Sequence, residues 1–189
     1  MTRAVFLTFT GDGKGKTSSA AGIALRAWGQ GRRVLFISFL KGSNIAGEYK
    51  AIKRINDPNF QVYTFGRECP YPGTECCPGQ QECIIRAGKV SEEDYNQVKL
   101  GLDQLRNEMA AGRWDLIVLD EIINVYNLFD SCREEILQLL DQRKADSDLV
   151  LTGRNSSPEL NSRADLVSEI KVLKHPYQSG MMAKRGIDY

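Results

Sequence analysis

Apolar residues gather along this chain in short unbroken runs, and between those runs they recur at helical spacing. Ala4–Phe9 (AVFLTF), Val34–Phe39 (VLFISF), Phe60–Phe65 (FQVYTF), Leu116–Leu119 (LIVL) and Leu149–Thr152 (LVLT) are too short and continuous for amphipathic helices and read as buried strands. Leu166–Leu173 is the expected last strand. Helices are expected between them. Thr17–Trp28 sets Ala20, Ala24 and Ala27 on one face, small enough for close approach to a sheet, and Gly29 and Gly31 end it. Glu48–Ile55 reads as a short helix. Ser91–Ala111 is the strongest helical pattern: Tyr95, Val98, Leu102, Leu105 and Met109 form one stripe. Ser91 and Asp94 can cap its start, and Gly112 is a natural stop. A further helix is expected from about Cys132 to Gln142, with Ser131 and Glu134 as its capping box.

Strands apolar on both faces, alternating with helices, imply an α/β fold with a mostly parallel sheet covered by helices on both sides. The length of 189 residues suits one domain, spanning 1–189. A 42% hydrophobic and 26% charged composition argues against disorder. The formal net charge of +1 gives no field that would draw the chain to nucleic acid or anionic lipid, and neither is expected as a partner. No apolar run approaches the ~18 residues of a membrane span. With no leader expected at the start, the cytoplasm is the expected compartment, and its thiols should be reduced. One stretch breaks the rhythm. From about residue 67 to 89 the chain holds four of the five cysteines and little periodicity, which reads as a loop inserted in the domain.

The candidate chemistry begins between the first strand and the first helix, with Thr10-Gly11-Asp12-Gly13-Lys14-Gly15-Lys16-Thr17. Glycines let successive backbone N–H groups turn toward one anion, and the helix start adds partial positive charge. Lys16 supplies a mobile full charge, and the Thr17 hydroxyl can ligate Mg²⁺. The strict phosphate-loop pattern wants glycine where this chain has Thr10. The competing reading is a glycine-rich turn with two lysines by chance. The strand Leu116–Leu119 then delivers Asp120 and Glu121 to the sheet's C-terminal edge, where open α/β sheets bind ligands. Phosphate-loop enzymes place an acid there to hold Mg²⁺. The alternative is that the pair caps the next helix.

A set of short motifs occurs in order along the whole chain: TGDGKGKT at 10–17, FLKG at 39–42, Gly47-Glu48, FGR at 65–67, VLDE at 118–121, LTGR at 151–154, ADLVSE at 164–169, Lys174-His175-Pro176-Tyr177 and the closing Gly186-Ile187-Asp188-Tyr189. In these the chain resembles the ATP:corrinoid adenosyltransferases of the CobA/BtuR type. The resemblance covers nearly everything except Glu68 to about Lys89, and its two C-terminal elements make it specific. It implies a RecA-like P-loop fold, a homodimer, and an enzyme that transfers the 5′-deoxyadenosyl group of ATP to the cobalt of a reduced corrinoid, cob(I)alamin or a precursor, releasing triphosphate. A reductase or other reductant for cobalt is then an implied partner. Lys16, Thr17 and Glu121 are the implied catalytic residues, with Gly11, Asp12, Gly13, Lys14, Gly15, Lys16 and Thr17 lining ATP and Thr17, Asp120 and Glu121 managing Mg²⁺. The family commonly has asparagine where this chain has Asp12. Some members carry an N-terminal extension over the corrinoid, which this chain is not expected to have. Some displace the corrinoid's lower ligand with an aromatic after the third strand, for which Phe65 and Tyr71 are the available residues.

Several assignments stay open at this level. Arg26 is a candidate nucleotide contact or a helix-surface ion pair, and Arg154 a candidate nucleotide or corrinoid contact or a helix-capping arginine. His175, the only histidine, reads as a packed, hydrogen-bonded residue ahead of a corrinoid contact, and Trp28 and Trp114 as helix–sheet packing. Cys69, Cys76, Cys77 and Cys83 have six, zero and five residues between them, matching no standard zinc ribbon or ferredoxin run. A loop with so little apolar content would gain order from a thiolate-bound Zn²⁺ or an iron–sulfur cluster. Free or redox-sensing thiols are the alternative. Cys132 reads as buried packing. Two other functions fit parts of the pattern: a P-loop nucleoside kinase of the thymidine-kinase type with a cysteine-bound metal lid, and a non-catalytic ATP-dependent corrinoid-binding protein.

Overall fold

The computed structural model describes residues 3–42, 46–68, 85–175, 180–181 and 183–188. The expected alternation is present. The order is β1 (Phe6–Thr10), α1 (Lys16–Gly29), β2 (Val34–Phe39), α2 (Gly47–Ile55), β3 (Phe60–Phe65), α3 (Glu92–Ala111), β4 (Leu116–Asp120), α4 (Ile122–Leu128), a 3₁₀ turn (Asp130–Cys132), α5 (Arg133–Asp141), β5 (Asp148–Thr152), α6 (Pro158–Asn161) and β6 (Leu166–Glu169). All strand pairs are parallel, in the order β3-β2-β4-β5-β1-β6.

The period of two along the central strands explains their continuous apolar runs. In β2, Leu35, Ile37 and Phe39 enter one core, while Val34 and Phe36 enter the other. In β4, Ile117 and Leu119 face the first core and Leu116 and Val118 the second. Helices α3, α4 and α5 contribute to the first core, and α1 and α2 to the second. Each fully buried Leu, Ile or Phe contributes roughly 1.5–3 kcal/mol of transfer free energy, so every central strand is anchored on both faces. On α1 the expected small face, Ala20, Ala24 and Ala27, is the buried one. Trp28 packs beside Phe60 and donates to Asp57 (2.8 Å), and Trp114 is buried and donates to Glu108 (2.7 Å), so both serve packing.

The capping pair at α3 forms as expected. The Ser91 hydroxyl accepts from the Asp94 N–H (3.2 Å), and the Asp94 carboxylate accepts from the Ser91 N–H (2.8 Å). Asp94 also accepts from Arg67 Nε (2.6 Å), which ties the chain leaving β3 to the start of α3.

Two expectations are corrected. Helix α5 falls within a residue of its expected bounds, but Ser131 and Glu134 form no capping box. Phe129 and Cys132 are both buried here, and sinking them tightens the backbone into the 3₁₀ turn that precedes the helix. The last strand stops at Glu169 instead of Leu173. It is an edge strand whose one partner, β1, ends at Thr10 opposite Glu169, so the ladder runs out. Helices α4 and α6 were not anticipated.

Candidate active site

The loop between β1 and α1 is shaped by backbone requirements. Gly15 has φ +114°, a conformation that side chains rarely adopt. A Cβ on Gly13 would lie 2.7 Å from the Ile170 carbonyl oxygen. Ile170 earns that proximity by hydrogen bonding: its N–H donates to the Thr10 carbonyl and its carbonyl accepts from Gly13 N–H, both at 2.8 Å. The segment after β6 thus straps the loop.

Lys16 opens α1 and is buried, with its ammonium donating to the Gly11 and Gly13 carbonyls at 2.7 Å each. Burial lowers its pKa, and the nearby Arg154 guanidinium adds to the effect. Lys14 instead turns outward and pairs with Asp188 of the C-terminal segment. That contact, with the Lys184 N–H (2.6 Å), lowers the Asp188 pKa, and His175 is near enough to contribute. Asp12 is exposed and meets Arg154 at 3.4 Å.

Opposite the loop lies Asp120, with no exposed surface. Strand order creates this meeting: β5 lies between β1 and β4, and α1 packs on one face of the sheet against these central strands, which brings its first turn beside the end of β4. Asp120 Oδ1 accepts from the Thr17 hydroxyl (2.8 Å) and the Thr152 hydroxyl (2.6 Å). Oδ2 accepts from Tyr49 (3.1 Å) and from the Lys41 ammonium (3.1 Å), with the Ser38 hydroxyl 3.2 Å away. Burial alone would raise the Asp120 pKa, but Lys41 and the two threonine hydroxyls hold it below the usual carboxylate value. Burial likewise opposes charge on Lys41, and Asp120 and Glu121 outweigh it, holding the ammonium well above its ordinary pKa.

Glu121 follows in a left-handed conformation, φ +63°. For a residue with a side chain this costs about 1–2 kcal/mol, so surrounding contacts must hold it. Its N–H donates to Thr152 Oγ1 (2.9 Å), and its carboxylate is gripped by Asn124 and by Lys41 (2.9 Å). The carboxylate therefore does not cap α4, which has no side-chain cap. Asn124 also accepts the Arg154 N–H (2.7 Å), linking the acidic pair to the arginine at the rim.

The structure thus gathers Gly11, Asp12, Gly13, Lys14, Gly15, Lys16, Thr17, Asp120, Glu121 and Arg154 around one end of the sheet. Arg26 is not brought there. It lies ten residues along α1 from Lys16, roughly 15 Å by helical rise, and is exposed. Phe65 packs on Phe39, ring centroids 6.3 Å apart, in the first core. Tyr71, Cys69, Cys76, Cys77 and Cys83 lie outside the described residues. Cys132 is buried, and burial raises its thiol pKa.

Lys41, Thr152 and Asn124 were missed as site residues by sequence reasoning. Lys41 and Thr152 fall inside the FLKG and LTGR motifs, which was the available signal. Among the described residues no group of three or more His, Cys, Asp and Glu side chains gathers to hold a metal. Thr17, Asp120 and Glu121 nevertheless present hard oxygens converging on one point, and a cationic group, the Lys41 ammonium, already sits there. That donor set fits Mg²⁺, which takes few protein oxygens and completes its shell with water and phosphate.

A glycine-rich loop and buried lysine at a helix start, facing an acidic strand end across an all-parallel sheet, define a P-loop nucleotide-binding protein. The chain belongs to the ATP:corrinoid adenosyltransferase BtuR/CobO/CobP family, whose model matches residues 2–189. It is 29% identical over 187 residues to the corrinoid adenosyltransferase of Escherichia coli, covering 99% of this chain and 86% of that one. The figures are the same for corrinoid adenosyltransferase CobA of Salmonella typhimurium. The Pseudomonas aeruginosa corrinoid adenosyltransferase is 27% identical over 190 residues, covering 99% and 84%. Among solved structures, domain III of the Thermotoga maritima replication initiation protein DnaA overlaps loosely, with TM-score 0.40 and 12% identity over 87% of this chain and 53% of that one. Among the described residues no helix is long and apolar enough to cross a membrane.

Proposed function

We propose that this protein transfers the 5′-deoxyadenosyl group of ATP to the cobalt of a reduced corrinoid and releases inorganic triphosphate. The observation that carries the reading is the convergence of Lys16 and Thr17 with Asp120 and Glu121 at one sheet edge, in a chain of this family. The cobalt(I) electron pair forms the bond to C5′. The C5′–O bond breaks, and its electrons leave with the triphosphate. The nucleophile carries no proton, so the site needs no general base. Its task is to orient ATP and to stabilise charge gained by the leaving group.

The loop N–H groups and the start of α1 face the phosphates in this reading, with Lys16 turning from its carbonyl partners to phosphate oxygens. Thr17, Asp120 and Glu121 would hold Mg²⁺, whose chemistry is charge neutralisation along the triphosphate. Asp12 and Arg154 line the rim. A homodimer in the cytoplasm, supplied with electrons by a separate reductant, completes the proposal, and residues 1–189 act as one P-loop domain.

Anaerobic incubation with ATP, Mg²⁺ and chemically reduced cob(I)alamin tests this. Formation of the cobalt–carbon bond, followed optically, with one triphosphate per corrinoid is the expected result. Release of orthophosphate, or no product, would overturn it.

A further inference from the structure

Asp120 is fully buried, and a carboxylate there without a counter-charge would be strongly destabilising. Lys41 supplies that charge. Its ammonium lies 3.1 Å from Asp120 Oδ2, 2.9 Å from Glu121 Oε1 and 3.1 Å from Thr17 Oγ1. Three N–H donors meet three oxygens, so the group is fully satisfied. These are the same three side chains assigned above to Mg²⁺.

Lys41 reaches this point through a constrained turn. Leu40, the residue after β2, has φ +60°, an outlier for so bulky a residue. The turn closes against Gly66, where a Cβ would stand 2.3 Å from the Lys41 backbone nitrogen. Glu121, the facing residue, is left-handed as well. The fold therefore holds strained backbone on both sides of one ammonium, which argues that this placement has a use.

Mg²⁺ takes its oxygens at about 2.0–2.1 Å and demands near-octahedral geometry. A lysine ammonium and a divalent ion cannot both be bound by the same three oxygens, and each repels the other. We infer that Lys41 is an exchangeable counter-cation: it holds Thr17, Asp120 and Glu121 in their liganding positions, denies them to a divalent ion arriving alone, and yields them to a metal that arrives with a polyphosphate, whose oxygens then receive the ammonium. Metal and nucleotide binding become cooperative through one side chain, and Lys41 ends on the phosphates as a positioning residue. This rests on the metal assignment made above.

The test uses Mn²⁺ as the probe, with free ion counted by electron paramagnetic resonance, on the full chain without nucleotide. Lys41→Met is expected to bind Mn²⁺ alone at least about tenfold more tightly than the wild type, because a like charge is removed from the pocket. Lys41→Arg, which keeps the charge, is expected to stay weak. Adding Glu121→Gln to Lys41→Met is expected to abolish the gain. Should the Met variant not fold, Lys41→Gln replaces it, keeping an N–H donor without charge. In parallel, calorimetry measures ATP binding with and without Mg²⁺ in the wild type and Glu121→Gln. An unchanged Mn²⁺ affinity in the charge-removing variant overturns the inference, and so does a gain that survives Glu121→Gln. If instead Glu121→Gln leaves the Mg²⁺ dependence of ATP binding untouched, the metal assignment itself fails and takes the inference with it.

Discussion

Asp115 lies just before strand β4 and Asp120 ends it, and these two carboxylates meet their cations in different ways. Asp115 takes a two-pronged grip from Arg33, Nη2 at 2.7 Å and Nε at 3.0 Å, plus the Arg33 N–H at 2.9 Å. It remains 32% exposed. Asp120 is wholly buried, and its cation is a lysine that also touches Glu121 and Thr17. A planar guanidinium fork fixes one geometry, whereas an ammonium on a flexible stem is a point charge that can be redirected. The end of the strand that faces solvent is stapled. The end that faces the glycine-rich loop is built from groups with several partners each. Burial gives the second site its energetic leverage, and the choice of lysine over arginine keeps it movable.

Removing the buried carboxylate breaks this comparison most severely. Asp120→Ala leaves Lys41, Thr17 and Thr152 without their shared acceptor. Breaking a buried ion pair from one side costs about 3–5 kcal/mol, so a large fall in Tm by calorimetry is expected. Little loss of stability would mean that water or Glu121 replaces it readily. Lys16→Ala comes next, and its effect is on rate. Loss of one preorganised charge-stabilising donor typically costs ~10²–10³, measured here as cobalt–carbon bond formation with the fold retained by circular dichroism. Near-normal turnover would remove Lys16 from the chemistry. Glu121→Gln keeps shape and removes one charge. A higher Mg²⁺ concentration for half-maximal rate is expected, with a smaller loss at saturating metal. An unaltered Mg²⁺ profile would show that Glu121 only holds Lys41.

What the sequence makes legible follows from the range of each signal. The phosphate loop is local: its glycines, Lys16 and Thr17 lie within eight residues, between a strand and a helix that each announce themselves. The capping pair at Ser91 and Asp94 is equally local and reads correctly. Thr17 and Asp120, by contrast, are 103 residues apart and meet only through strand order. Thr152 becomes a site residue because β5 happens to lie between β1 and β4. Helix α4 escapes notice because it is only seven residues long and Ile122, Ile123, Val125 and Tyr126 are all buried, leaving just Asn124 and Asn127 as a narrow polar stripe, too short a pattern to show a helical period. Leu166–Leu173 overshoots as a strand because its apolar residues say nothing of where the partner strand ends. Arg26 looked close in sequence to the loop, but a helix carries it away at 1.5 Å per residue.

The smallest expected effect tests the stapled end, through pH. Arg33 pulls the Asp115 carboxyl down to about 2, against an ordinary value of 3.8. A depressed folded-state pKa means that the unfolded chain takes up this proton first as acid is added. Stability from the pair is therefore fully present above about pH 4 and is lost as pH falls toward 2. Both partners are partly exposed, with side-chain values of 32% and 44%, so solvent screening keeps the contribution modest. Asp115→Asn should lower Tm slightly at pH 7, and the gap from the wild type should close between pH 4 and pH 2. Added salt should narrow the same gap at neutral pH, as expected of an exposed pair. A gap that persists unchanged at pH 2 would assign the effect to the hydrogen bonds of the fork, which asparagine only partly replaces, and would make Asp115 a geometric staple independent of its charge.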